Sequence, residues 1–210
     1  MKIIKIDLEN PDQEIIKKAT NVLRGGGIVV YPTDTAYGLG VNALDKKAVK
    51  KVCELKGRSF SKPTHVVVHD WKMIEELSIT NDSAKKLYDK FLPGPLTIIL
   101  PKKKVVPDIL TANLSTLGVR IPNNQVTKKL SSLFPFPYTT PSANKSGGKT
   151  PYSIDDVKEE LDVEKIDLVL DAGKLPLTLP STIVDLTTTF AKVLREGPIS
   201  KDQIDKTLVN

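Results

Sequence analysis

Segments with helical periodicity alternate with short apolar runs along the whole chain of 210 residues, and this order restricts the fold more than any single motif. The runs at residues 28–30, 96–100 and 166–170 have the length and composition of buried strands. Neither an internal repeat nor a low-complexity tract interrupts the alternation. The pattern predicts an α/β (α+β) protein with a mixed, twisted sheet flanked by helices.

Capping residues and apolar faces predict the positions of the helices. Asn10 as N-cap and Pro11 in the first helical position begin a helix that ends at the glycines 25–27. Asp45 caps a second helix to about Leu55. Further helices are predicted at residues 71–77, 82–91, 124–133 and 153–161.

The remaining apolar segments predict additional strands. They lie at residues 2–8, 64–68 and 117–122, and a hairpin pairs residues 181–186 with 191–194. The chain length suits one domain over residues 1–210.

Composition limits the location and the partners of the protein. Without an apolar run of membrane-spanning length or a signal peptide, we expect a cytoplasmic protein with no membrane partner. The 31 basic and 25 acidic residues give a net charge of +6, which suits polyanionic ligands but also fits an ordinary solvated surface. Cys53 is the single cysteine and lies in an apolar helix stripe, so we interpret it as a core residue.

Two hydroxyl-rich loops follow predicted strands. Thr33, Asp34 and Thr35 come after the strand at 28–30, and residues 138–150 follow another short strand. In open α/β sheets this is where ligands usually bind. The first loop could equally be a turn that satisfies only its own backbone. The glycines of the second loop match neither the Walker A nor the dinucleotide pattern.

Cationic residues supply the second element of a candidate site. Lys56, Arg58 and Lys62 lie in a loop bounded by glycine and proline, where they could neutralise phosphate or complement the dipole of the preceding helix. Arg120 is embedded among apolar residues and therefore requires an anionic partner, either a structural carboxylate or that of a ligand.

The sequence offers little for metal or covalent chemistry. His65 and His69 have no cysteine or carboxylate pattern around them that would complete a zinc site. A Gly-x-Ser-x-Gly nucleophile motif is also missing from the sequence. The sequence therefore indicates a binding site for anions and small polar groups.

Taken together, these motifs resemble the YrdC-like family of threonylcarbamoyl-AMP synthases over nearly the whole chain. The resemblance is carried by Tyr31-Pro32-Thr33-Asp34-Thr35, Lys56-x-Arg58 with Lys62-Pro63, Leu92-Pro93-Gly94-Pro95, Val119-Arg120-Ile121-Pro122, Pro141-Ser142-Ala143-Asn144, Ser181-Thr182-Ile183-Val184-Asp185 and Arg195-x-Gly197, in the family order. It implies a single YrdC-like domain with its core at about residues 12–198, a concave basic face and no second C-terminal domain.

The resemblance also implies a reaction. L-threonine, bicarbonate and ATP would give threonylcarbamoyl-AMP and pyrophosphate, with Mg²⁺ carried by the ATP phosphates and not held in a protein cage. A transferase complex would then pass the threonylcarbamoyl group to the adenosine next to the anticodon of tRNA, producing N6-threonylcarbamoyladenosine. Direct binding of tRNA or double-stranded RNA is a further expectation.

The site residues implied by the resemblance form two groups. The threonine site would contain Thr35, Arg120, Thr140 and Ser181, although the family usually has alanine at the position of Thr140. ATP would be bound by Lys56, Arg58, Lys62, Thr116, Ser142, Asn144, Thr150 and Arg195, with Lys56 and Arg58 as the catalytic pair.

Two other functions compete with the synthase. The first is a non-catalytic module of the same fold that binds double-stranded RNA or tRNA. The second is carbamoyl transfer of the hydrogenase-maturation type, but those domains belong to much larger chains with additional segments.

Overall fold

A computed structural model describes residues 1–57 and 62–209 and contains strands and helices in alternation. The strands are β1 (Lys2–Lys5), β2 (Val29–Pro32), β3 (Tyr37–Gly40), β4 (Val66–Val67), β5 (Leu96–Pro101), β6 (Thr116–Arg120), β7 (Tyr138–Thr139), β8 (Leu168–Asp171), β9 (Thr182–Asp185) and β10 (Lys192–Arg195). The helices are α1 (Gln13–Arg24), α2 (Lys46–Leu55), α3 (Trp71–Leu77), α4 (Asp82–Phe91), α5 (Gln125–Leu133), α6 (Ile154–Glu160) and α7 (Lys201–Val209). Within the described residues, no helix is both long and apolar enough to cross a bilayer.

The strands form two sheets, both mixed. The first has the order β1-β8-β2-β3, in which only the β2–β3 pair is antiparallel. The second has the order β10-β9-β5-β6-β4-β7, with antiparallel and parallel pairs in alternation. The α/β class is thus confirmed, but the strands divide between two sheets where the sequence analysis expected one.

Backbone hydrogen bonds join the two sheets beside the hydroxyl-rich loops. The N–H of Leu39 in β3 donates to Pro141 O at 2.9 Å, and the N–H of Thr139 in β7 donates to Val41 O at 3.0 Å. The Thr139 side chain adds a bond to Leu39 O at 2.8 Å. This junction places the loop after β2 next to the loop after β7.

Apolar side chains fill two core clusters. The smaller one packs α1 and α5 against the first sheet around the buried rings of Tyr31, Phe134 and Tyr138. Tyr31 and Tyr138 meet edge to face, with ring centroids 5.4 Å apart. The larger cluster includes Cys53, which is buried as predicted.

The start of α1 differs from the prediction. Asp12 is the N-cap, and its carboxylate accepts the N–H groups of Glu14 at 2.7 Å and Ile15 at 3.2 Å. Asn10 instead donates its N–H to the carboxylate of Asp7 at 2.8 Å, in a turn that precedes the helix. The Asn10-Pro11 prediction was therefore wrong by two residues, because Asp12 satisfies the first helical donors.

Several strand boundaries also differ. Residues 37–40, for which the sequence analysis predicted no strand, form β3 and pair with β2. The strand predicted at residues 2–8 ends earlier, as β1. The strand predicted at residues 64–68 is shorter at both ends, as β4, and the strand predicted at residues 117–122 is shifted toward the N-terminus, as β6. Helix α7 was not predicted; it contacts α4 and buries Ile204 completely.

The turn after β10 contains a glycine that its surroundings require. A Cβ at Gly197 would lie 2.1 Å from Pro180 O and 2.8 Å from Thr182 N, both backbone atoms. The Gly197 N–H also donates to Thr182 Oγ1 at 2.9 Å. Close backbone approach therefore explains why a glycine occupies this position.

We predict that Gly197→Ala lowers the free energy of unfolding by about 1–3 kcal/mol, because the methyl group overlaps backbone that cannot move aside cheaply. Urea denaturation measures this. Gly25→Ala is the matched control, because its nearest contact would be an ordinary 3.5 Å. Equal stability of the two variants would contradict the close-approach interpretation.

Candidate functional site

A cavity of about 410 Å³ opens where the two sheets meet. Its wall combines the loop after β2, the end of α2, the end of β6, the loop after β7 and the segments around β9 and β10. Ten predicted site residues line it: Thr35, Lys56, Lys62, Arg120, Thr140, Ser142, Asn144, Thr150, Ser181 and Arg195. The structure therefore brings together residues that are up to 160 positions apart in sequence (from 35 to 195).

Two predicted site residues stand apart from this group. Arg58 lies outside the described residues, so its predicted role stays a prediction. Thr116 is not among the described residues of the wall; it begins β6 and pairs with Pro101. It lies four positions before Arg120 along the strand, or roughly 13 Å away, which explains why the strand does not bring both to the cavity.

The loop after β2 is stabilised by its own threonine. Thr33 Oγ1 accepts the N–H groups of Thr35 at 3.1 Å and Ala36 at 3.2 Å, and it donates to Ala36 O at 2.7 Å. The self-satisfied turn considered from the sequence is thus present. It nevertheless presents Thr35 to the cavity, so the turn and binding interpretations are compatible.

Arg120 is fixed by two residues of that loop. Its Nη2 forms an ion pair with Asp34 Oδ1, and its Nη1 donates to Thr35 Oγ1 at 3.0 Å. The other Asp34 oxygen accepts the N–H of Asn123 at 3.1 Å. Asp34 is thus the structural carboxylate that the buried arginine requires.

Arg120 keeps capacity for a ligand despite this pairing. It lines the cavity, and its Nε has no hydrogen-bond partner within the part of the chain that the structure describes. This Nε is itself buried, so its unmade hydrogen bond costs free energy, and a ligand would meet the part of Arg120 that lines the cavity.

Positive charge accumulates on the cavity wall. Burial lowers the pKa of Arg120, an effect that Asp34 opposes. Burial also lowers the pKa of Arg195, and the positive charge of Arg120 lowers it further. No Asp or Glu occurs among the described residues of the wall. The cavity is therefore suited to anions.

Lys56 connects α2 to the loop after β7. Its Nζ donates to Ser142 O and Asn144 O, both at 2.5 Å, and to Asn144 Oδ1 at 3.2 Å. The N–H of Ser146 donates back to Lys56 O at 3.0 Å. These contacts of the ammonium group lie on the neighbouring loop, which differs from the helix-dipole alternative.

The loop after β7 is further held by its own side chains. Ser142 Oγ donates to Asn144 Oδ1 at 2.6 Å, and Asn144 Nδ2 donates to Gly148 O at 2.8 Å. The Glu160 carboxylate of α6 accepts the N–H groups of Lys145 at 3.3 Å and Lys149 at 3.2 Å. The loop is thus shaped before any ligand binds.

Ser181 and Arg195 form another part of the cavity wall. The Arg195 guanidinium donates to Ser181 O from Nε at 3.0 Å and from Nη2 at 2.8 Å. Ser181 Oγ lies 3.0 Å from Thr97 Oγ1. These contacts fix the hydroxyl of Ser181 and one edge of the guanidinium.

The structure adds wall residues that the sequence analysis did not assign to the site. These include His65, Thr97, Lys145 and Thr178. Thr178 Oγ1 donates to Thr35 O at 3.0 Å and so secures the loop after β2. His65 was considered only as a metal ligand, and no cluster of three potential ligands for a metal ion occurs in the described ranges.

Comparisons with known proteins identify the family of this chain. A family model for Sua5, YciO and YrdC, described as telomere recombination, matches residues 21–197. A putative threonylcarbamoyl-AMP synthase of Methanocaldococcus jannaschii is 42% identical over 95% of this chain and 96% of its own length.

Two solved structures have the same fold. Sua5 of Pyrococcus abyssi in complex with L-threonine is 37% identical with a TM-score of 0.94, and the match covers 99% of this chain but 61% of that one. Escherichia coli YciO is 30% identical with a TM-score of 0.85, and the match covers 94% of this chain and 97% of that one. The chain belongs to the Sua5/YciO/YrdC family.

Proposed function

We propose that the protein is an L-threonylcarbamoyladenylate synthase, which makes threonylcarbamoyl-AMP and pyrophosphate from L-threonine, bicarbonate and ATP. The observation that carries the proposal is the cavity itself, where buried Arg120 meets the Thr35 hydroxyl within a wall of cations. The relatives named threonylcarbamoyl-AMP synthase and the L-threonine complex of the Pyrococcus abyssi protein support it.

The reaction depends mainly on positioning of the three reactants and on neutralisation of their negative charge. The ammonium group of threonine and bicarbonate form a carbamate with loss of water and a proton. The carbamate oxygen then attacks the α-phosphorus of ATP, and pyrophosphate leaves with the bonding electrons. Oriented reactants and preorganised donors lower such barriers without a covalent enzyme intermediate.

In this proposal, the amino acid binds at the Arg120 side of the cavity. Arg120 pairs with the threonine carboxylate, to which a guanidinium is well matched. The hydroxyls of Thr35, Thr140 and Ser181 contact the remaining polar groups of the substrate.

ATP occupies the remaining wall in this proposal. Lys56 and Arg58 neutralise phosphate charge during the transfer, and the other contacts come from Lys62, Thr116, Ser142, Asn144, Thr150 and Arg195. Mg²⁺ arrives with the ATP phosphates. The described wall supplies cations and hydroxyls and no carboxylate, a donor set that fits a phosphate-borne ion better than a protein cage.

A reactive adenylate needs a recipient. We propose that a tRNA-modifying transferase complex accepts the threonylcarbamoyl group and transfers it to adenosine beside the anticodon. The net charge of +6 would also allow direct contact with tRNA or double-stranded RNA. A non-catalytic RNA-binding module is the alternative function.

Pyrophosphate release tests the proposal. With ATP and Mg²⁺ present, release should require L-threonine and bicarbonate together, and omission of either should abolish it. Serine in place of threonine reports on the side-chain contacts. A folded protein that binds tRNA but releases no pyrophosphate would contradict the synthase and favour the RNA-binding module.

We predict that Arg120→Lys raises the KM for threonine about 10–100-fold, because lysine keeps the charge that Asp34 needs but loses the planar fork. The KM for ATP should change much less. Steady-state pyrophosphate assays measure both constants. An unchanged KM for threonine would locate the carboxylate contact elsewhere.

We predict different effects for two lysines of the cavity. Lys56→Met should lower both turnover and the melting temperature, because Ser142 O and Asn144 O lose a buried donor worth about 1–3 kcal/mol. Lys62→Met should lower turnover alone, because Lys62 is exposed. Thermal denaturation and pyrophosphate release separate the two effects. Equal melting temperatures would argue against Lys56 as a loop anchor.

A further inference from the structure

We propose that His65 is the general base that accepts the proton lost by the threonine amine as its carbamate forms. The inference rests on the proposed synthase function. It adds a role for a side chain that the motif comparison left unassigned, and it follows from where His65 lies and from which other groups share the cavity.

His65 is held at the cavity wall by the second sheet. It directly precedes β4, and its carbonyl accepts the N–H of Thr140 at 3.0 Å. Its imidazole lies against the backbone of β6, since a Cβ at Gly118 would come within 2.4 Å of the ring Cδ2. The missing side chain at Gly118 thus makes room for the ring, two residues before Arg120.

The other titratable groups of the described wall are poor bases near neutral pH. They are Lys56, Lys62, Lys145, Arg120, Arg195 and Tyr37. Ammonium and guanidinium groups ordinarily hold their protons at neutral pH. Burial raises the pKa of the Tyr37 hydroxyl above its usual value, so it does not ionise either.

A carboxylate beside the cavity, that of Asp34, is also a poor candidate. Asp34 forms the buried ion pair with Arg120, so a proton placed on this carboxylate would remove the charge that the guanidinium requires. Imidazole is the side chain whose ordinary pKa lies near neutrality, and general bases work best in that range. Within the described wall, His65 is therefore the group suited to accept this proton.

The proposed step conserves atoms and charge. The ammonium form of threonine gives one proton to the His65 imidazole, and the free amine attacks the bicarbonate carbon. Loss of water then leaves the carbamate anion, and the imidazolium returns its proton to solvent. The step needs no oxidant or other reactant beyond those of the proposed reaction.

The test compares His65→Gln with His69→Gln, the matched change at the other histidine, which is exposed and does not line the cavity. Pyrophosphate release is measured between pH 6.5 and 9 at saturating ATP. We expect His65→Gln to be about 100-fold slower near pH 7, in the usual range for general-base catalysis. The rate difference between His65→Gln and the wild type should decrease with rising pH, because a larger fraction of the threonine in solution then already carries a free amine. His69→Gln should match the wild type.

A second variant tests the inference if His65→Gln does not fold. Gly118→Ala keeps the imidazole but displaces it, and it should lower the rate in the same pH-dependent way. Melting temperatures identify any unfolded variant.

Three outcomes decide the inference. A deficit in His65→Gln that closes at high pH supports it. Wild-type rates, or a deficit that is constant across pH, would overturn it by showing that the ring has no role or only a structural one. If the wild type itself releases no pyrophosphate with threonine and bicarbonate, the synthase proposal fails first, and the role of His65 fails with it.

Discussion

The buried ion pair between Arg120 and Asp34 is the interaction on which the arrangement of the cavity depends. Burying a guanidinium costs several kcal/mol unless a partner and further hydrogen bonds offset the desolvation. Asp34 and Thr35 supply that partner and one such bond from adjacent positions of a single loop. Because Asp34 is held in turn by the N–H of Asn123, the end of β6 and the loop after β2 are fixed relative to each other.

A second set of contacts fixes two other parts of the cavity wall. Lys56 crosses from the end of α2 to the carbonyl groups of Ser142 and Asn144. Arg195 reaches back to Ser181 O in a comparable way. In each case a cationic side chain of the cavity donates hydrogen bonds to backbone carbonyl groups, and these bonds fix its position. Charged groups held before the substrate arrives need little reorganisation during reaction, which is the main source of electrostatic catalysis.

The sequence predicted the elements better than their assembly. Asp45 was correctly predicted as an N-cap, and its side chain accepts the N–H groups of Lys47 and Ala48, whereas Asn10 failed because Asp12 was the competing cap. Ten of the predicted site residues line one cavity, because the fold brings together the loops after β2 and β7, the end of α2 and the ends of β6 and β10. The division into two sheets and the place of His65 could not be predicted, since both depend on pairings between distant segments, such as β4 beside β6.

The positive charge of the cavity wall also affects which form of threonine is favoured in the proposed reaction. A threonine zwitterion carries an ammonium group, and the described wall of this cavity offers it cations and hydroxyls but no carboxylate. Transfer of an unpaired ammonium into such surroundings is unfavourable, both from desolvation and from like-charge repulsion. The carbamate, in contrast, is an anion and gains from every nearby cation. The positive charge of the cavity therefore favours the carbamate over the bound zwitterion, and the carbamate is the form that attacks ATP.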